Sequence, residues 1–260
     1  MSRPSDVALV CLDLSGTLVE GSVGPALPGA VEAVRRIAAR LPVRFVTNVT
    51  SQPVARLAGH LRGLGLLDDP EMLYTPATTA RRVLTGEAGA GVLIADGPVR
   101  EDLAWFREDP EGGSVLVATE GHDLRIRDLQ PAFRRLLDGA SLYALQRNRY
   151  FARDGALWTD VGPLAALLSY AADQEIRVFG KPSPLLFDAI ASEAGTTREQ
   201  IVMVGDDAEF DVSASVALGL QGLLVRTGKY RPGDEARVDP GPTAVLDSID
   251  ELPPWLGLAP

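Results

Sequence analysis

An α/β fold built on a doubly wound parallel sheet is the architecture this sequence predicts, and three observations point to it. Three short apolar runs, Val7–Leu12, Val43–Val46 with Arg44 as its one polar residue, and Ile201–Val204, lack the regular alternation of half-exposed strands, as strands buried on both faces do. Segments with helical apolar spacing follow the first two runs, which is the grammar of βαβ units. Several of the runs also stop at a polar, chemistry-bearing residue: Asp13, Thr47-Asn48 and Asp206-Asp207.

The elements can be justified in order. Val7–Leu12 leads into Asp13 as a central strand. After a stretch rich in Gly and Pro, Val31, Val34, Ile37, Ala38 and Leu41 keep helical spacing. Val43–Val46 is the next strand. Ser51 with Pro53 marks a helix start, and Val54, Leu57, Ala58, Leu61 and Leu64 form its inner face. Ile176–Phe179 reads as a strand returning to the same sheet and ending at Gly180-Lys181. Leu185, Leu186, Ala189 and Ile190 then give a helix, with Gly195 just past its end. Leu223–Val225 supplies a last strand. Between the halves, Val92–Ala95, Val115–Ala118 and Leu142–Leu145 read as strands of a separate region, with helices around Leu129–Leu137 and Pro163–Ala172. The expected organisation is a core over 1–79 and 175–260, split by a smaller inserted α/β cap over 80–174. Arg231–Pro242 reads as a surface loop.

Bulk properties narrow the function. With 260 residues, 46% apolar and 23% charged, the chain is long enough to bury a core and has ordinary globular composition. A net charge of -10 and the lack of a basic stripe argue against nucleic-acid or anionic-membrane partners. Cys11 is the single cysteine and sits in an apolar run, which leaves no disulfide framework and no thiolate metal cluster. Residues 1–6 are short and polar, unlike a signal peptide. No segment approaches the roughly 18 apolar residues of a membrane span. A cytoplasmic location is the expectation.

Four features fall at predicted strand ends: Asp13 with Ser15 and Thr17, Thr47 with Asn48, Lys181, and Asp206 with Asp207. In an open parallel sheet the ligand crevice lies beyond the carboxyl ends of the strands, so one sheet would gather them. The set suits phosphoryl transfer, whose catalysis is positioning and charge neutralisation. Asp13 and Asp206 would hold Mg²⁺, Lys181 would offset phosphate charge, and Thr47 and Asn48 would donate to phosphate oxygens. Each residue also has a plainer reading. A lone Asp after a strand is commonly a turn or cap residue. Asp206, Asp207 and Asp211 fit an acidic helix start, Lys181-Pro182 a solvated turn, and Thr47 a strand residue.

Taken in order, Asp13-Leu14-Ser15-Gly16-Thr17, Phe45-Val46-Thr47-Asn48, Gly180-Lys181-Pro182 and Val204-Gly205-Asp206-Asp207 with Asp211 resemble the haloacid dehalogenase superfamily. The insert's position resembles the branch containing the 4-nitrophenyl phosphatases and nucleotide phosphatases. Leu136–Ala140, Arg149-Tyr150 with Asp154-Gly155, and Thr227–Tyr230 are similar to the phospholysine phosphohistidine inorganic pyrophosphate phosphatases. The resemblance implies Asp13 as nucleophile and metal ligand, the Ser15 carbonyl and Asp206 as further ligands, and Lys181 as charge clamp. Thr47 and Asn48 become phosphate contacts, and Asp207 and Asp211 support the loop or the metal's waters from a second layer. It also implies a small phosphorylated substrate and a homodimer formed through the cap.

One position departs from the family. Most of these phosphatases carry a second Asp as general acid and base where this chain has Ser15. A positioned acid/base contributes ~10² to 10⁴-fold, so its absence limits the substrate or the rate. Either substrates with good leaving groups, such as pyrophosphate or phosphoramidates, are preferred, or hydrolysis of the aspartyl-phosphate is slow and activity on ordinary esters weak. Relatives that share the Ser favour the first by analogy. Arg147, Asn148, Arg149 and Tyr150 are the cap positions that the resemblance puts near substrate, and a solvated basic turn is their plainer reading. The Asn-x-Asp cap motif of related nucleotide phosphatases is missing. Trp105-Phe106 and Trp158 read as cap core or interface. His60 and His122 lack partners at zinc spacing. Two other readings compete: a general phosphomonoesterase for sugar phosphates or nucleotides, and a non-hydrolytic phospho-acceptor module resembling a receiver domain.

Overall fold

The computed structural model describes residues 6–153 and 155–258. Asp154, and the first five positions of the polar start, lie outside the described residues. Contacts divide the chain into two compact units, one of residues 1–47, 55–74 and 186–260, the other of 48–54 and 75–185.

The first unit is built on a six-stranded sheet. Its strands are β1 (Leu9–Asp13), β2 (Val43–Val46), β3 (Leu73–Tyr74), β11 (Ile201–Gly205), β12 (Gln221–Val225) and β13 (Ala244–Leu246). They lie in the order β13-β12-β11-β1-β2-β3, and every pairing is parallel. β1, β11 and β12 are buried at every position, because both faces of the sheet are covered. On one face Leu9, Cys11, Val46 and Met203 pack with Leu186, Phe187 and Ile190 of the helix Pro184–Ala194. The helix Ala30–Ala38 buries Ala30, Ala33, Val34 and Ile37, the stripe expected from its spacing.

The strand order places a switch point at β1. The chain runs from β1 outward through β2 to β3, and later returns as β11 on the opposite side of β1. Connections leaving in opposite directions open a crevice above the carboxyl ends of β1 and β11.

The second unit has its own parallel sheet. Its strands are β4 (Ala90–Ile94), β5 (Arg107–Glu108), β6 (Ser114–Val117), β7 (Ser141–Ala144) and β10 (Ile176–Val178), in the order β10-β7-β6-β4-β5. A separate antiparallel hairpin joins β8 (Tyr150–Arg153) to β9 (Ala156–Thr159). Val115, Val117, Leu142 and Ala144 pack with Leu136, Ala165 and Leu168 from the helices Gln130–Leu137 and Val161–Ala172. On another side, Leu116, Tyr143, Phe179 and Phe106 pack with the helix Pro76–Val83 through Ala77 and Ala80.

One expectation about the sheets needs correction. The strand at Ile176 does not return to the first sheet: β10 pairs with β7, with Ile176 opposite Leu142 and Val178 opposite Ala144. Only three of the four strand-end features therefore belong to the six-stranded sheet. A three-residue strand such as Ile176-Arg177-Val178 fits either sheet, and local pattern does not choose its partner. The second unit is accordingly longer than the expected insert over 80–174: it runs from 75 to 185 and includes 48–54.

Phe187 is fully buried against Leu9, Cys11 and Met203. Phe187→Ala is expected to cost about 3–5 kcal/mol of folding stability, read from the midpoint shift in urea unfolding.

Candidate active site

Asp13 closes β1 at the switch point. Its register is fixed on both sides, since Leu12 lies opposite Val204 of β11 and Asp13 opposite Val46 of β2. Asp206 follows the last residue of β11, and Thr47 follows the last residue of β2, where its amide donates to the Tyr74 carbonyl at 2.9 Å. Asp13, Thr47 and Asp206 are all buried. Three of the predicted site residues thus stand at the carboxyl ends of three adjacent strands.

Asp211 joins them, in a place that its separation in sequence did not reveal. One carboxylate oxygen from each of Asp13, Asp206 and Asp211 falls within 4.8 Å of the others, and all three residues are buried. Asp211 reaches the cluster because the chain after Asp207 winds as a wide π-type turn over Ala208–Ser213, with the Val212 amide donating to the Asp207 carbonyl at 3.2 Å. Gly205 makes room for it: a Cβ there would lie 2.6 Å from Asp211 Cγ. Expected as a second-layer support, Asp211 brings a carboxylate oxygen within 4.8 Å of those of the two predicted ligands.

Asp207 has a different task. Its carboxylate accepts the Glu209 and Phe210 amides at 3.2 and 3.0 Å, capping the turn, and meets Lys229 Nζ at 3.3 Å. Crowding around the Lys229 ammonium works against its charge. The carboxylates of Asp207, Asp206, Asp211 and Asp13 outweigh that effect, so its pKa lies above the ordinary lysine value. A cavity of about 270 Å³ is lined by Asp206, Asp207, Lys229 and Arg237 among others.

The donor set suits a hard divalent cation. Three carboxylates supply only oxygen, the ligand type of Mg²⁺. No His or Cys takes part. His60 Nε2 meets the Gly24 carbonyl at 2.8 Å, and His122 Nε2 the Thr159 carbonyl at 2.9 Å. Cys11 is buried in the strand before Asp13. Ser15 begins the loop after β1, where the Gly16 amide turns back to the Val19 carbonyl at 2.8 Å. The Thr17 hydroxyl is buried without a hydrogen-bond partner among the described residues.

Lys181 and Asn48 belong to the second unit. Lys181 is buried, three residues after β10. Its main chain is held at both ends by one side chain: Asn48 Oδ1 accepts the Lys181 amide at 2.7 Å, and Asn48 Nδ2 donates to the Lys181 carbonyl at 2.8 Å. The carboxamide expected to contact phosphate is thus engaged in setting the Lys181 backbone.

Among the cap positions, Arg149 bonds through its carbonyl to the Asp160 amide at 3.2 Å. Asp160 caps the helix Val161–Ala172 and accepts from Gln146 Nε2 at 3.0 Å. Burial raises the pKa of Asp160 against these hydrogen bonds. Phe106 is core, with Trp105 edge-on at 5.8 Å. Trp158 is 42% exposed on the hairpin, with its ring 5.2 Å from that of His122, so it is a surface residue and not part of the cap core.

Comparison with known proteins places the chain in a family. The family model described as haloacid dehalogenase-like hydrolase matches residues 10–104, and a second, HAD-hydrolase-like model matches 178–252. Haloacid dehalogenase-like hydrolase domain-containing protein 2 of Homo sapiens is 36% identical over 92% of this chain and 92% of its own length. Phospholysine phosphohistidine inorganic pyrophosphate phosphatase of Bos taurus is 34% identical over 96% and 94%. Among solved structures, 4-nitrophenylphosphatase of Thermotoga maritima shares the fold at a TM-score of 0.80, with 23% identity over 96% of this chain and 98% of that one. The chain belongs to the haloacid dehalogenase-like hydrolase family. It is an enzyme, related along almost its whole length to proteins named as phosphatases. No helix among the described residues is long and apolar enough to cross a membrane.

Asp207→Ala removes a cap that Asp207→Asn retains. The alanine variant is expected to lose about 1 kcal/mol of stability and the asparagine variant much less, measured by thermal unfolding. The exposed Lys229 pair contributes little to that difference.

Proposed function

We propose that this protein is a Mg²⁺-dependent phosphatase in which Asp13 attacks phosphorus. The observation that carries the reading is the buried cluster of Asp13, Asp206 and Asp211, whose oxygens lie within 4.8 Å at the switch point of a parallel sheet. Asp13, Asp206 and Asp211 are the side chains that would hold the ion, with the Ser15 carbonyl as a further ligand. Bound there, Mg²⁺ would supply positive charge against the phosphoryl oxygens.

In the first step an Asp13 carboxylate oxygen forms a bond to phosphorus as the bond to the leaving group breaks. Water then attacks the phosphorus of the aspartyl-phosphate, releasing inorganic phosphate and regenerating the Asp13 carboxylate. Thr47 donates to a phosphoryl oxygen. Lys181 contributes fixed positive charge, with Asn48 setting its main chain.

Ser15 steers the substrate class. A hydroxyl at this position cannot protonate a leaving group near neutral pH, so substrates whose leaving groups depart without a proton donor are favoured. Inorganic pyrophosphate and phosphoramidates such as phosphohistidine and phospholysine meet that condition. Two curated relatives bear those substrates in their name. A small phosphorylated molecule is the partner proposed.

Phosphate release with Mg²⁺ across pyrophosphate, phosphohistidine and alkyl phosphate esters tests the assignment. Pyrophosphate or the phosphoramidate is expected to be turned over fastest; preference for simple esters would contradict the role given to Ser15. Asp13→Asn is expected to abolish release with the fold intact by circular dichroism. Ser15→Asp is expected to raise turnover of alkyl esters by at least ~10²-fold if the new carboxyl acts as acid/base, and an unchanged rate would count against it.

A further inference from the structure

The loop Thr227–Lys229 after β12 touches the carboxylate cluster at several points. The Lys229 amide donates to Asp206 Oδ2 at 2.6 Å. The Thr227 hydroxyl donates to the Gly16 carbonyl at 2.6 Å, tying the loop to the segment just after Ser15. Gly16 and Gly228 abut each other beside Asp206. A Cβ on Gly16 would lie 2.8 Å from Gly228 Cα and 2.9 Å from Asp206 Cγ. A Cβ on Gly228 would lie 2.6 Å from Gly16 Cα and 2.9 Å from Asp206 Cγ. Both glycines have positive φ, +81° and +59°, a second reason why a side chain is strained at either position.

These contacts converge on one carboxylate. Asp206 is buried and follows β11 directly, so its carboxylate direction is set by what surrounds it. The two glycines let the main chain approach one carboxylate oxygen, Oδ2, and the Lys229 amide donates to that same oxygen. A hydrogen bond to a ligand's oxygen fixes its orientation in the same way as the partners of metal-bound histidines and carboxylates do elsewhere.

We infer that Thr227, Gly228 and the Lys229 amide form a positioning clamp: they orient Asp206, and through Gly16 the Ser15 carbonyl, for divalent cation binding. The inference rests on the cation site proposed above. It assigns no part to the Lys229 side chain, whose partner is Asp207.

Isothermal titration calorimetry with Mg²⁺ and no substrate tests the clamp, together with the thermal stability of the metal-free protein. Thr227→Val is expected to weaken Mg²⁺ binding about 10- to 100-fold, while metal-free stability falls little, and Thr227→Ser is expected to restore the affinity. Gly228→Ala should weaken binding likewise. If that variant does not fold, the Thr227 pair still decides, because valine and serine differ in the hydroxyl that reaches Gly16. Parent-like affinity in folded Thr227→Val overturns the clamp alone, provided that the parent binds Mg²⁺ and Asp206→Asn does not. A parent protein that binds no Mg²⁺ overturns the cation site and the clamp with it.

Discussion

Three buried carboxylates held within 4.8 Å of one another are the constraint around which this fold is arranged. Two unit charges at that distance repel by on the order of 3 kcal/mol, even at an effective dielectric of about 20. Such a cluster persists only where the backbone places it rigidly and where positive charge or hydrogen-bond donors answer it. The six-stranded sheet supplies the rigidity, with β1, β11 and β12 buried at every residue. Donors arrive from loops: the Asp207 amide to Asp211 at 3.3 Å, and the Lys229 amide to Asp206 at 2.6 Å.

The same constraint accounts for three of the chain's glycines. Gly205, Gly16 and Gly228 each stand where a Cβ would strike Asp211 or Asp206. Packing acidic side chains this closely against main chain leaves no room for any other residue. Family membership, established over almost the whole chain length, then gives the cluster a chemical context. Oxygen-only ligands suit a hard cation.

Much of this was legible in the sequence, for physical reasons. Val7–Leu12 and Ile201–Val204 announce buried strands because a strand covered on both faces has no polar alternation. Asp13, Thr47 and Asp206 could be placed because ligands gather at the carboxyl ends of such strands. Elsewhere the local pattern was silent. Ile176–Val178 is a three-residue run whose partner, β7, is chosen by tertiary pairing. Asp211 lies six residues beyond β11, and only the wide turn at Ala208–Ser213 returns it to the cluster. Both ends of the Asn48 carboxamide hold the main chain of Lys181, a pairing across 133 residues that no local pattern signals. Thr227–Lys229 resembled relatives as a string of residues, but its hold on Asp206 depends on a main-chain amide, which no side-chain pattern reveals.

The central claim is that Asp13 carries the phosphoryl group between substrate and water. Rapid acid quenching during turnover of pyrophosphate, followed by peptide mass spectrometry, tests it most directly. A phosphoryl adduct on Asp13 that appears within one turnover and decays as phosphate is released is the predicted result. Steady phosphate release with Asp13 unmodified at every quench time would contradict the account.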